Sequence, residues 1–313
     1  MAESTEEERR ARRRHPIRNY LLFAILAIVV VVMLALRIEP AAGDSVPVAC
    51  EARGASVAMP EISEASGVAL SRRTPGLLWI HKDQGKPTLY AVDESGALKG
   101  RVTVIGASFQ DVEDIAAAPC GSQNCLYLAD IGDNDGRRKN ISVYRVPEPA
   151  PGDAATQRAD VFLATYPDGP QDAEALVVSK EGHILVVTKG VGKPITVYRF
   201  PEPLHVGVTV QLEKVGMLAA GKTPKDERVT GASASPDGAR VALRTHDSVW
   251  LYDAGDFLRG QFGRPQHFDV SSLQEPQGEG VALGKGGEVI LVGEGGGKQR
   301  PGTLSRAVCS LRN

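Results

Sequence analysis

The chain has 313 residues, 42% of them hydrophobic and 24% charged, with 34 Gly, 20 Pro and a formal net charge of −2. That apolar fraction excludes a disordered or collagen-like chain, and the lack of a basic surplus argues against a nucleic-acid partner. The length admits one large domain or two smaller ones.

The N-terminus sets an expected compartment. Arg9, Arg10, Arg12, Arg13, Arg14 and Arg18 precede an apolar run from Tyr20 to Leu36. A stretch of about 18 to 20 apolar residues spans a bilayer core as a helix, and the positive-inside bias keeps the arginines in the cytoplasm. The expected organisation is a cytoplasmic Arg-rich tail over 1–18, a transmembrane helix or signal anchor over 19–38, a linker over 39–45 and an extracytoplasmic domain over 46–313. The protein is then a single-pass cell-membrane protein whose membrane contact is that helix. Small residues at 40–43 leave a cleaved signal peptide as the alternative, which would make it a secreted protein.

Four cysteines agree with export. Cys120 and Cys125 flank a short loop, whereas Cys50 and Cys309 stand at opposite ends of the outer domain. No Cys-x-x-Cys spacing suggests a metal site. The expected bridges are Cys50–Cys309, tying the termini, and Cys120–Cys125, closing a turn.

A repeat organises 46–313. A polar residue, a small residue, an aliphatic patch, a turn and a second apolar run recur five times. The copies begin at Glu64, Asp111, Asp172, Arg228 and Gln277, and the second runs begin at Leu77, Leu126, Ile184, Val241 and Val289. Third runs follow, and segments 144–149 and 198–203 are nearly identical. Short runs between Gly, Pro and Asp turns read as antiparallel strands, and repeat units of roughly 50 to 60 residues match propeller blades. The expected fold is an all-β propeller of five blades, or six if a degenerate blade hides in 204–227 or 253–276. The last copy has room for three strands only, so strand material near Cys50 is expected to complete it and close the ring.

Aligning the first strands puts Ser66, Glu113, Glu174, Thr230 and Glu279 at one equivalent position. The first strand of a blade lines the central channel, so the five side chains converge. Three carboxylates in proximity repel, a hard cation relieves that repulsion, and carboxylate plus hydroxyl oxygens suit Ca²⁺. The ordinary alternative is a water-filled polar channel. The Ser/Glu/Glu/Thr/Glu order resembles that of the five-bladed calcium-activated nucleotidases (soluble apyrases), and the repeat is also similar to phytase-like propellers. The resemblance implies an axial Ca²⁺ held by these inner-strand residues, and only that ion position is carried over.

The ends of the second strands supply a second expected ring, including His81, Lys82, Asp130, Asp133, Asn134, Lys189, Arg244 and Glu294. Lys82, Lys189 and Arg244, with Asp133 and Asn134, are candidates for binding an anionic small molecule; a solvated rim of mixed charge is the plainer reading. Two functions follow. One is a ligand-binding or protein-interaction module with a channel Ca²⁺. The other is a calcium-dependent phosphoester hydrolase in which Asp130, Glu294 or His81 assists the attacking water. No Walker loop, Gly-x-Ser-x-Gly or His-Glu-x-x-His motif points elsewhere.

Overall fold

The computed structural model describes residues 50–219, 223–224, 227–263, 265–297 and 300–310. The expected membrane segment at 19–38 lies outside the described residues. No helix among those described is long and apolar enough to cross a membrane.

Five antiparallel sheets follow one another along the chain. Blade 1 contains β3 (Ala65–Leu70), β4 (Leu77–Lys82), β5 (Thr88–Asp93) and β6 (Leu98–Thr103). Blade 2 contains β7 (Val112–Cys120), β8 (Gln123–Asp130), β9 (Ile141–Pro147) and β10 (Asp160–Thr165). Blade 3 is β11 (Ala173–Val178), β12 (Ile184–Thr188), β13 (Ile195–Arg199) and β15 (Glu213–Ala219). Blade 4 is β16 (Val229–Ala234), β17 (Arg240–Thr245), β18 (Ser248–Asp253) and β19 (Gln266–Asp269). Blade 5 is β20 (Gln277–Leu283), β21 (Glu288–Glu294) and β22 (Gly302–Cys309). Its outer edge is completed by β1 (Cys50–Ala52) and β2 (Val57–Met59), both antiparallel to β22.

The first strands of the blades touch in cyclic order, β3 to β7 to β11 to β16 to β20 and back to β3. This is a closed five-bladed propeller among the described residues. Among the described residues no sixth blade forms from 204–227, which supplies β15 and a short β14 (Thr209–Gln211) added in parallel to β10. Segment 253–276 supplies β19 and a short helix, α1 (Ala254–Leu258), whose N-cap Asp253 accepts the Asp256 N–H.

Closure follows the expected chemistry. Cys50 pairs in register with Cys309 and is disulfide-bonded to it, and Cys120 is bonded to Cys125. Joining the first strand to the last removes the two free edges that an open ring would expose.

The apolar core is divided as a propeller requires. Five clusters of buried side chains each lie between one pair of adjacent blades, such as Trp79, Leu89, Ile115 and Leu128 between blades 1 and 2. Close approach at the centre demands small residues. A Cβ on Gly280 would fall 2.7 Å from the Ser66 carbonyl oxygen, and one on Gly67 would fall 2.5 Å from His81 Nε2. Only glycine fits at these two positions.

Candidate functional site

Each inner strand has an irregularity at its axial residue. Pairing slips between Ala65 and Val68, Val112 and Asp114, Ala173 and Ala175, Val229 and Gly231, and Gly278 and Val281. The residues skipped include Ser66, Glu113, Glu174, Thr230 and Glu279. A bulge leaves its extra residue out of the ladder and re-aims its side chain. The five positions aligned in the sequence are thus five bulges at one end of the inner strands.

Four of these residues, Ser66, Glu113, Glu174 and Glu279, line a cavity of about 710 Å³ at that mouth. Thr230 is buried beside it. The two hydroxyls stitch neighbouring blades: Ser66 donates to the Glu113 carbonyl at 2.8 Å, and Thr230 donates to the Glu279 carbonyl at 2.9 Å.

The cavity is strongly acidic. Its lining holds nine carboxylates (Asp83, Asp111, Glu113, Asp133, Asp135, Asp172, Glu174, Glu279, Glu294) against Lys189, Lys193 and Arg228. Burial, with repulsion from Glu174 and Asp111, pushes Glu113 well above the usual carboxylate range. Burial lifts Glu174 to about 7, against the pull of Lys189. Burial and the charge of Glu174 lift Glu279 to about 8. Asp83, Asp111 and Glu294 are also raised, chiefly by burial. Gln277 Nε2 donates to Glu279 Oε1 at 2.6 Å. The Lys189 ammonium sits against Glu174, lies 3.5 Å from Asp172 Oδ2 and donates to Asn134 Oδ1 at 3.1 Å.

The second ring is only partly assembled. Asp133, Asn134, Lys189 and Glu294 line the cavity, whereas Lys82, Asp130, His81 and Arg244 do not. Arg244 is fully buried. It donates to the carbonyls of Gly280 and Val292 at 2.7 and 2.9 Å and forms an ion pair with Glu275, whose side chain is 4% exposed. It therefore joins blade 4 to blade 5 and cannot meet a ligand at the mouth. Lys82 lies with its ammonium 5.6 Å from the centre of the Tyr90 ring. His81 is fully buried, its Nε2 has no hydrogen-bond partner, and burial lowers its pKa to about 4. Asp130 is held by Arg138 at 2.7 Å and accepts the amides of Gln110 and Asp111. Asp133 accepts the amides of Arg137 and Arg138, ordering the loop that presents Asn134.

Two residues at the centre escape periodicity-based reading. Arg138 is one. The other is Asp114, which is fully buried and accepts three amides: Ile115 at 2.8 Å, Leu176 at 2.8 Å and Ala232 at 2.9 Å. Burial raises its pKa well above normal despite those donors. The signal was available in the repeat, because the residue after the axial position is Gly67, Asp114, Ala175, Gly231 and Gly280. Asp114 is the sole large side chain in that series.

No family model matches the chain, and no curated relative does. Among solved structures it is similar to the PQQ-bound aldose sugar dehydrogenase of Streptomyces coelicolor, at 13% identity and a TM-score of 0.50 over 84% of this chain and 98% of that one. It is also similar to a gluconolactonase of Xanthomonas campestris, at 12% identity and a TM-score of 0.46 over 83% of this chain and 97% of that one. The likeness to the dehydrogenase shows the β-propeller fold alone. The resemblance to apyrases and phytases rests on the ring pattern only.

Proposed function

We propose that the chain is an extracytoplasmic, cation-binding propeller, a ligand-binding or interaction module whose acidic mouth takes Ca²⁺ between Glu113, Glu174 and Glu279. The observation that carries this reading is the sign of the cavity, nine carboxylates against three cations, with Lys189 already paired. The donors offered are all oxygens, which suits a hard cation. Glu174 Oε1 is buried without a hydrogen-bond partner, its contact being the ion pair with Lys189. Among the described residues no three acidic, His or Cys side chains converge on one point as they stand. The fit therefore lies in donor chemistry, and binding requires side-chain movement.

Two disulfides suit an oxidising compartment, and the Arg-flanked run at 20–36 would tether the propeller to the outer side of the membrane. Phosphoester hydrolysis gains less support. Of its proposed cations, Lys82 and Arg244 are absent from the lining and Lys189 is engaged by Glu174. Of its proposed acid–base groups, only Glu294 reaches the cavity.

Calorimetric titration of chelator-stripped protein with CaCl₂ tests the reading. One bound Ca²⁺ per chain is expected, with its loss in Glu174→Gln. Absence of binding, together with no calcium in the purified protein, would overturn it.

A further inference from the structure

We propose that Lys189 is a displaceable counter-ion of the axial site, its ammonium holding the place of a divalent cation and swinging outward to Asp172 and Asn134 when the ion binds. This rests on the cation-binding reading above and adds to it the device that selects the ion.

The backbone at Lys189 is pinned on both sides. Its N–H donates to the Asp172 carbonyl at 3.0 Å, and its carbonyl accepts the Val229 N–H at 3.1 Å. Movement is thereby confined to the four-carbon stem, which carries a compact charge with three donors. Two stations lie within reach. The inner one is the Glu174 carboxylate, whose side chain is 6% exposed; the outer one is Asp172, 24% exposed, with Asn134 beside it. In the structure the ammonium contacts the inner carboxylate while already lying 3.5 Å from Asp172 Oδ2 and donating to Asn134 Oδ1, so displacement needs only the release of Glu174 with the outer partners kept.

Charge decides which ions can evict it. Glu113 and Glu279 are more than nine-tenths buried, face the same cavity and form no ion pair with a Lys or Arg among the described residues. One ammonium cannot hold all three ionised, and burial with mutual repulsion keeps Glu113 and Glu279 toward the protonated form. A monovalent ion replacing it on Glu174 leaves the axial charge unchanged and gains nothing. A divalent ion brings one more positive charge to Glu113 and Glu279, where low polarisability makes each added charge count for more than in water. The ammonium meanwhile keeps a carboxylate partner at the rim. Lys189 thus discriminates against Na⁺ and K⁺ while holding the metal-free fold together.

The test compares wild-type protein with Lys189→Gln, both full-length and chelator-stripped, by calorimetric titration with CaCl₂. In parallel, wild-type protein is acetylated with and without Ca²⁺, and modification of Lys189 is read by mass spectrometry against exposed Lys285. The expected result is Ca²⁺ affinity raised about tenfold or more in Lys189→Gln, because a competing unit charge is gone, and faster acetylation of wild-type Lys189 when Ca²⁺ is added. Should the variant fail to fold, acetylation of the wild type decides alone. Equal or weaker Ca²⁺ affinity in the variant, or Lys189 reactivity unchanged or lowered by Ca²⁺, overturns the displacement while leaving the ion site standing. Absence of Ca²⁺ binding in wild type and variant alike overturns both.

Discussion

The carboxylate of Asp114 accepts the amide N–H of Ala232 at 2.9 Å, although 118 residues separate them. The same oxygen accepts the Leu176 amide, so one side chain from blade 2 is bonded to the inner strands of blades 3 and 4. This clamp stands one residue past Glu113 and fixes three of the strands that carry the axial cluster. In Asp114→Asn one carboxylate oxygen becomes an NH₂ group facing an amide donor. With a buried donor left unsatisfied costing about 1–3 kcal/mol, urea unfolding should show a loss on the order of 1–3 kcal/mol. A variant as stable as wild type would mean that the clamp contributes nothing.

Arg244 and Glu275 form a second buried tie, across blades 4 and 5. Removing one partner strands the other charge in the interior, at a cost of about 3–5 kcal/mol. Glu275→Gln is expected to lower the melting temperature sharply while leaving Ca²⁺ stoichiometry unchanged in the folded fraction. If the variant instead kept its stability and lost Ca²⁺ binding, Glu275 would belong to the ion site.

The blades and their closure were legible in the sequence because five copies of one turn-and-strand pattern recur, and because Cys50 and Cys309 sit where a ring must join. The axial residues were legible through alignment of those copies. The second ring came together only in part, and Arg244 stays out of it for a geometric reason. Arg244 pairs with Gly231 and Thr245 with Val229. Consecutive strand residues face opposite sides, so an offset of one residue sends Arg244 between the blades instead of to the mouth. The bulges that set this offset leave no mark in periodicity. Glu148 shows a second limit. It stands between Pro147 and Pro149 in a connector, yet it is buried, accepting hydrogen bonds from Trp79 Nε1 at 3.0 Å and Ser71 Oγ at 2.5 Å. Partners some 70 residues away cannot be read from local spacing.

The two disulfides should differ in worth. Cys50–Cys309 spans 259 residues and Cys120–Cys125 spans 5. In the chain-entropy account the longer loop contributes up to about 5 kcal/mol and the shorter about 2 kcal/mol. Paired Cys→Ser substitutions, followed by thermal melting under identical conditions, should show the larger loss for the terminal pair, which also fastens β1 to β22. Equal losses would mean that hydrogen bonding along β1 and β2 closes the ring without the bridge.

The axial acids predict the sign of a pH effect on the metal-free protein. Glu174 and Glu279 have pKa values raised to about 7 and about 8 from a reference of 4.5, and Glu113 is raised as well. Between about pH 4.5 and pH 8 the folded chain therefore holds protons that the unfolded chain has released, so stability falls as pH rises through that window. Lys189 is shifted upward from 10.5 and titrates above the window, whereas His81, lowered by burial from 6.5 to about 4, opposes the trend below about pH 6.5, so the fall is clearest between about pH 6.5 and pH 8. All three glutamates are deeply buried, and the summed effect is on the order of a few kcal/mol. Chelator-treated protein should melt at higher temperature near about pH 6.5 than near about pH 8.5, and Glu279→Gln should flatten the slope. If Ca²⁺ binds as proposed, it takes the deprotonated form and expels those protons, so its stabilisation should be larger at the higher pH. A melting temperature that climbs steadily across the same range would contradict the burial and crowding of these three side chains.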